Sequence, residues 1–296
     1  MVNNSKKKIC LGTAQLGSDY GINNTRGVIP EAESVKLLSL ASEYGIEIVD
    51  TASGYGKSER IIGDFLVNHP EAFKVISKFA ENEQPEESVL DKSLEKLKIR
   101  KVYGYLIHSF DVYKSNPSIF DTLLNYKHGE KVEKIGFSLY YPHELDCVLS
   151  NNLDIDMVQI PFSIFDQRFS PYFSVLKDKG IEVFVRSVYL QGLVFKNPDC
   201  LEGQFIKFRE KLNDLNLLSE ELKIPIGALC LNFAILNKHI DKVIVGIDGL
   251  EHLRKSMDFI QYSADIEKFM DRLANFQEED EQIILPFNWS LNKQGV

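Results

Sequence analysis

The sequence predicts an α/β fold, a (β/α)8 TIM barrel forming a single domain over residues 1–296, and three observations carry that expectation. Short apolar runs alternate with longer segments of helical period. The runs ending at 50, 78, 108 and 138 recur about every 30 residues, the length of one βα unit. Crossovers this short imply parallel neighbours, and no linker rich in Gly, Ser or Pro divides the chain.

In chain order the strand candidates are KICLGTA (8–14), IEIVDT (46–51), FKVISKF (73–79) and VYGYLIH (102–108). Then follow VEKIGFS (132–138), DMVQIP (156–161), IEVFVRS (181–187) and KVIVGI (242–247). Their length and β-branched or aromatic content suit buried strands. Between the first two, EAESVKLLSLASEYG (31–45) predicts a helix with Val35, Leu38, Ala41 and Ser42 on one face, closed by Gly45. PEESVLDKSLEKLKI (85–99) opens on Pro85 and carries acids early, as the helix dipole favours. The one long interval, 188–241, is expected to hold two extra helices, the second opened by Pro225, and further helices follow the last strand. A doubly wound open sheet is the alternative, but it would want G-x-G-x-x-G after its first strand, and GTAQLGSDYG lacks it.

A formal charge of −9 and a pI near 5.3, with no basic face, argue against a nucleic-acid partner. No apolar stretch reaches the roughly 18 residues a membrane span needs. The start, MVNNSKKKICLG, has no apolar core of a signal peptide, so a cytoplasmic protein is expected. Cys10, Cys147, Cys200 and Cys230 form no C-x-x-C, which predicts reduced thiols and no metal site.

In a βα barrel the C-terminal strand ends converge on one mouth. Those ends carry Asp50, Lys78 and His108, and the glycine-framed Tyr55 follows on the loop after the second strand. The four make a coherent proton-transfer set. A free phenol, with a pKa of about 10, is a poor acid or base at neutral pH, and an adjacent ammonium stabilises its anion. Asp50 supplies the counterion that a buried lysine needs. A histidine on the next strand can hydrogen-bond a substrate carbonyl. Tyr55 is thus expected as the acid, Lys78 as its tuner, Asp50 as the anchor and His108 as the positioner. The carbonyl carbon would still need a hydride, which only a cofactor supplies.

These segments resemble the aldo-keto reductases. GIEIVDTASGYGKSERIIG is similar to their second-strand signature, with its Asp and Tyr at Asp50 and Tyr55; Lys78 in VISKF and His108 in LIHS match the next two strands. The resemblance implies a (β/α)8 barrel that binds an extended nicotinamide cofactor across its mouth and interconverts carbonyls and alcohols. It further implies cofactor contacts at Gly12 and Thr13, and at Ser138 in EKIGFSLYY, where Leu139 replaces the family's Asn. Gln159 in MVQIPFSIFDQR would hold the carboxamide. Arg186 in VRSVYLQGLV stands where many members have a stacking tyrosine, and Ser187, Leu190 and Gln191 would line the pyrophosphate. In VIVGIDGLEHLRKS the implied adenosine-side residues are Gly246, Asp248 and His252. NADP(H) is the family default. Asp248 would repel a 2′-phosphate and shifts weight toward NAD(H), whereas Arg254 and Lys255 could reach a phosphate, so both cofactors stay open.

Singly, each residue has an ordinary explanation: Asp50 as a turn former, Tyr55 as a packing residue, Lys78 as a solvated lysine, His108 as a core histidine. Four in order on consecutive elements outweigh those explanations. Competing functions are a cofactor-binding regulatory protein of the same fold with little turnover, and an isomerase or lyase using Lys78 as a Schiff base. The substrate expected is a small carbonyl compound or alcohol; the polar loop GSDYGINNTRG is compatible with a sugar-like one. Trp289 is expected to line the substrate pocket. The seven residues before the first strand are too few for a floor-closing hairpin, which leaves the barrel floor to something else, such as a partner subunit in an oligomer.

Overall fold

The computed structural model describes residues 2–22, 24–79 and 88–289. Eight parallel strands close into a barrel: β1 (Ile9–Gly12), β2 (Ile48–Asp50), β3 (Lys74–Phe79), β4 (Val102–Ile107), β5 (Val132–Ser138), β6 (Met157–Pro161), β7 (Glu182–Arg186) and β8 (Lys242–Gly246). Each pairs with the next in sequence, and β8 returns to β1 with Ile9 against Val243 and Gly12 against Gly246. All eight expected strands are present, trimmed by one or two residues at some ends. Each expected strand that overshot ran into the loop where ladder bonds stop. The extra helices Arg209–Leu222 and Ile226–Ile235 lie between β7 and β8, and Leu250–Phe259 follows β8.

The two-residue period of a strand explains what the barrel holds inside. Cys10, Ile48, Ile76, Leu106, Met157, Phe184 and Ile244 form the interior cluster, one per strand from all but β5. On β5 the matching position is Gly136, where a Cβ would stand 1.8 Å from the Met157 carbonyl oxygen. Outward residues on the same strands, such as Val49, Tyr105, Phe137 and Val183, join the larger core beneath the helices. Two residues further along each strand, the inward positions become Gly12, Asp50, Lys78, His108, Ser138, Gln159, Arg186 and Gly246. The polar ring at the mouth is therefore the next inward layer above an apolar plug.

The floor is closed by this chain's own side chains. Tyr103 packs against the interior cluster, with the ammoniums of Lys74 and Lys134 at 4.9 and 5.4 Å from its ring centre. Its hydroxyl donates to Glu182, 2.8 Å away, and Lys134 pairs with the same carboxylate at 2.6 Å. The residues before β1 form a helix, Val2–Lys7, instead of a hairpin.

One sequence expectation needs correcting, and another lies partly outside the described residues. In the helix Glu31–Glu43 the buried stripe is Ser34, Leu37, Leu38 and Ala41, while Val35 is 44% exposed. Positions 34, 37, 38 and 41 follow the 3.6-residue period, and Val35 falls a quarter-turn off it. The helix expected over 85–99 is described only as Val89–Leu97; its expected start at Pro85 lies outside the described residues. Gly45 ends the first of these helices as expected, with φ of +78° and its N–H on the Ser42 carbonyl.

Because the missing side chain of Gly136 is what lets β5 lie against β6, Gly136→Ala is expected to destabilise the fold by about 3 kcal/mol or more. Urea unfolding followed by circular dichroism measures this.

Candidate active site

Lys78 is fully buried at the centre of the mouth, and all three of its ammonium hydrogens are used. It donates to both oxygens of Asp50, each at 2.7 Å, and to the Thr51 carbonyl at 3.0 Å. Gln159 Nε2 donates to Asp50 Oδ1 at 2.8 Å. Asp50 is 4% exposed, so its charge is compensated by partners and not by water. An amine with every hydrogen engaged has no lone pair to offer as a nucleophile, which weighs against the Schiff-base reading.

Tyr55 rests over this pair, its ring centre 5.3 Å from the Lys78 ammonium and 5.8 Å from the His108 ring, edge-on. Its loop is seated by contact with the short helix Ala14–Gly17. A Cβ on Gly17 would stand 1.8 Å from the Tyr55 carbonyl oxygen, and Gly56, at φ +52°, would strike the Gly17 carbonyl. Beneath the loop, the Thr13 hydroxyl donates to the Asp50 carbonyl at 2.8 Å, and Ser58 and Thr51 complete a buried hydroxyl chain. Thr13 thus holds β1 to the strand that carries Asp50.

The electrostatics differ in one respect from the sequence expectation. Burial, then the Asp50 charge and Tyr140, push the Tyr55 phenol well above its ordinary range, and the guanidinium of Arg186 pulls it back. Lys78, expected to lower it directly, instead donates its three hydrogens to Asp50 and the Thr51 carbonyl. The phenol in this state keeps its proton. Burial and the positive charges of Lys78 and Arg186 hold His108 down at about 3, so its ring is neutral at physiological pH.

A cavity of about 430 Å³ runs from Asp50 and Tyr55 across the mouth to β8. Of the expected cofactor contacts, Gly12, Thr13, Asp50, Gln159, Arg186, Ser187, Gln191, Gly246, Asp248 and His252 line it. Ser138 and Leu190 do not. Ser138 is buried in register with Gln159, whose longer side chain reaches the cavity wall. Leu190 is fully buried, because left-handed backbone at Ser187, Leu190 and Gln191 folds the segment into turns that put its apolar side chain in the core. Lys78 lies behind the lining, bonded to Asp50, and His108 stands half-buried and edge-on to the lining residue Tyr55. Trp289, expected in the pocket, is buried in the tail: its indole donates to the Ile283 carbonyl at 3.1 Å and packs edge-on to Phe205.

Several lining residues escaped sequence reading. Ser256 and Phe259 stand with His252, and with the Lys255 already marked as able to reach a phosphate, on one face of the helix Leu250–Phe259, a spacing of three, four and seven that the sequence displays. Phe195 and Tyr189 join Phe259 at the far end. Tyr20 carries no local signal; its hydroxyl accepts from Gln191 Nε2 at 3.0 Å, and the Ile22 N–H donates to the Gln191 carbonyl, so the two loops meet across the cavity.

The lining fits an extended dinucleotide. Its volume is that of a small-molecule site, with aromatic walls at one end and polar groups along its length. Near β8, Gln15 donates to Asp248 Oδ1 at 3.2 Å, while its own Oε1 is buried with no hydrogen-bond partner among the described residues. A ligand hydroxyl would satisfy that acceptor.

The Aldo/keto reductase family model matches residues 8–274. The chain belongs to the aldo/keto reductase family. Membership makes it an NAD(P)H-dependent oxidoreductase. Curated relatives include the "Uncharacterized oxidoreductase YqkF" of Bacillus subtilis (strain 168), 23% identical over 278 residues, which span 85% of this chain and 90% of that protein. The "Pyridoxal 4-dehydrogenase" of Microbacterium luteolum is 21% identical over 311 residues, 86% and 89% of the two chains. Among solved structures, the holo form of aldo-keto reductase AKR11C1 from Bacillus halodurans superposes with a TM-score of 0.73 at 17% identity, covering 93% of this chain and 94% of that one. The glycerol dehydrogenase AKR11B4 from Gluconobacter oxydans gives 0.70 at 17%, covering 94% and 92%. At these identities the likeness speaks for the barrel alone. Among the described residues no helix is long and apolar enough to cross a membrane, no His, Cys, Asp and Glu cluster could hold a metal, and the four cysteines are free thiols.

His108 gives a sign-defined prediction. Its folded pKa lies below the unfolded value, so between about 6.5 and 3 the unfolded state binds the extra proton and stability falls as the pH falls, by up to about 1.4 kcal/mol per unit. His108→Asn is expected to flatten that slope in melts taken from pH 7 down to 4, and NMR should find the wild-type ring neutral throughout.

Proposed function

We propose that this protein reduces an aldehyde or ketone to its alcohol, with Tyr55 delivering the proton to the carbonyl oxygen. The observation that carries this reading is the buried Lys78–Asp50 pair beneath a protonated phenol, at one end of a cavity of about 430 Å³. A nicotinamide cofactor, when bound, supplies the hydride. Everything else is done by this chain's own groups.

Tyr55 acts as general acid: its phenol is protonated in the resting site and gives up the proton as charge develops on the substrate oxygen. His108, neutral and edge-on to Tyr55, donates a hydrogen bond to the same oxygen and orients it. Lys78 works through Asp50. By neutralising that carboxylate it limits the repulsion an anionic tyrosine would feel, and the transient phenolate forms beside a compensated charge. Gln159 holds Asp50 in place from β6. The Tyr20–Gln191 contact between loops helps exclude water from the cavity.

For the cofactor, NAD(H) is favoured over NADP(H). Asp248 offers a carboxylate that accepts from a ribose hydroxyl and repels a phosphate, and it is flanked by the unsatisfied Gln15 oxygen. Arg26, whose guanidinium reaches the Asp248 carbonyl, is already paired with Glu33 at 2.6 Å. Lys255, which also lines the cavity, is an exposed ammonium whose charge water screens.

Two measurements test this. Tyr55→Phe should lower kcat by about 10²–10⁴-fold, followed as loss of dihydronicotinamide absorbance, while dinucleotide affinity persists. Undiminished turnover would end the proton-donor role. Fluorescence titration should find NADH bound more tightly than NADPH, with Asp248→Asn narrowing the gap by about tenfold or more. Tighter NADPH binding by the wild type would reverse the cofactor assignment.

A further inference from the structure

We propose that Arg186 is an oxyanion-recognition residue, and that the carbonyl compound taken by this site carries a carboxylate or phosphate group. This rests on the oxidoreductase reading above and names the substrate class of the same site.

Arg186 stands at the end of β7 and lines the cavity. No ion pair among the described residues includes it, and both lining carboxylates are engaged elsewhere. Asp50 is held by Lys78 and Gln159; Asp248 accepts from Gln15 and lies 3.4 Å from His252. The contacts Arg186 does make are with neutral groups. Nη2 donates to the Leu139 carbonyl at 3.0 Å, and the guanidinium stacks 4.0 Å from the centre of the Tyr140 ring. Stacking occupies the face of a guanidinium and leaves its edge free, where the fork of N–H donors matches an oxyanion.

The platform under it is built rather than incidental. The Tyr140 N–H donates to Glu144 at 2.7 Å, its carbonyl accepts from Arg168 Nη2 at 3.2 Å, and its ring meets Phe287 edge-on at 4.6 Å. Arg168 is in turn clamped by two 2.9 Å bonds to Asp166 and a 3.0 Å bond to Glu281. A guanidinium fixed in this way loses little freedom on meeting a ligand.

The charge is felt where the reaction would take place. It acts on Tyr55, His108 and Tyr20 alike. When ligands fill the cavity and displace water, an unpaired guanidinium is costly, and an oxyanion on the substrate removes the cost. A neutral carbonyl compound leaves it in place, so the cation selects by rejecting uncharged competitors as well as by attracting charged ones.

The test uses the purified full chain. Calorimetric titration with benzoate, phenyl phosphate and benzamide compares two oxyanions with a neutral analogue of the same shape. Wild type should bind at least one oxyanion about tenfold or more tightly than benzamide, and the better of the two tells carboxylate from phosphate. Arg186→Met should bring that ratio to about one, and Arg186→Lys, which keeps the charge without the fork, should retain part of it. Equal binding of all three probes by wild type overturns the proposal, as does a preference that survives in a folded Arg186→Met. Loss of NADH binding in Arg186→Met with the oxyanion preference intact also overturns it, since the guanidinium would then serve the cofactor. Turnover separates the two levels. Equal kcat/KM for 4-carboxybenzaldehyde and 4-carbamoylbenzaldehyde sinks the substrate class and leaves the oxidoreductase reading standing. Arg186-dependent benzoate binding without reduction of either aldehyde supports the anion site and sinks the assigned chemistry.

Discussion

A buried ammonium and a buried carboxylate, touching through two 2.7 Å hydrogen bonds, hold the mouth of this barrel together. Neither ion could be there alone. Removing one partner of such a pair costs about 3–5 kcal/mol, because the other is left charged and dry. The pair links β2 to β3, and Gln159 extends it to β6, so one compensated charge ties three strands at the level where side chains meet the cavity. Tyr55 depends on it in turn. Its phenol lies above a carboxylate whose charge would otherwise weigh more heavily on it, and the ammonium offsets that charge.

The loops extend the same logic of neutralised polarity. Tyr55 reaches its place because Gly17 lacks a side chain where the Tyr55 backbone passes, and because Thr13, Thr51 and Ser58 satisfy one another beneath it. Across the mouth, Arg186 is held against Tyr140 by contacts that leave its charge unmatched. Of the two cations at the strand ends, Lys78 is fully paired and Arg186 is open. The first sets up the chemistry; the second faces what enters.

How far the sequence reached follows from what kind of information each feature needs. Strand positions were legible because a fully buried parallel strand is a short apolar run, and eight of them stand out between amphipathic segments. Asp50, Lys78 and His108 were legible as polar residues at the C-terminal ends of apolar strand runs, and Gln159 only through the resemblance of its segment to a family motif. Val35 was misjudged because a moderately apolar surface residue beside a helical stripe resembles a member of it. Trp289 was misjudged because nothing local tells an aromatic that lines a pocket from one that anchors a tail. Tyr20 and Gln15 were missed because their partners, Gln191 and Asp248, are far away in sequence.

By itself the sequence determined the barrel, its order of strands and the layer of polar residues at one end, since alternation along a strand is a local property of the backbone. Tertiary structure decided how the charges are shared. Whether Lys78 acts on Tyr55 or on Asp50, and whether Arg186 meets an acid or an aromatic ring, depends on distances between strands that no spacing along the chain encodes. Electrostatic energy varies with those distances and with burial, and both exist only once the barrel has closed.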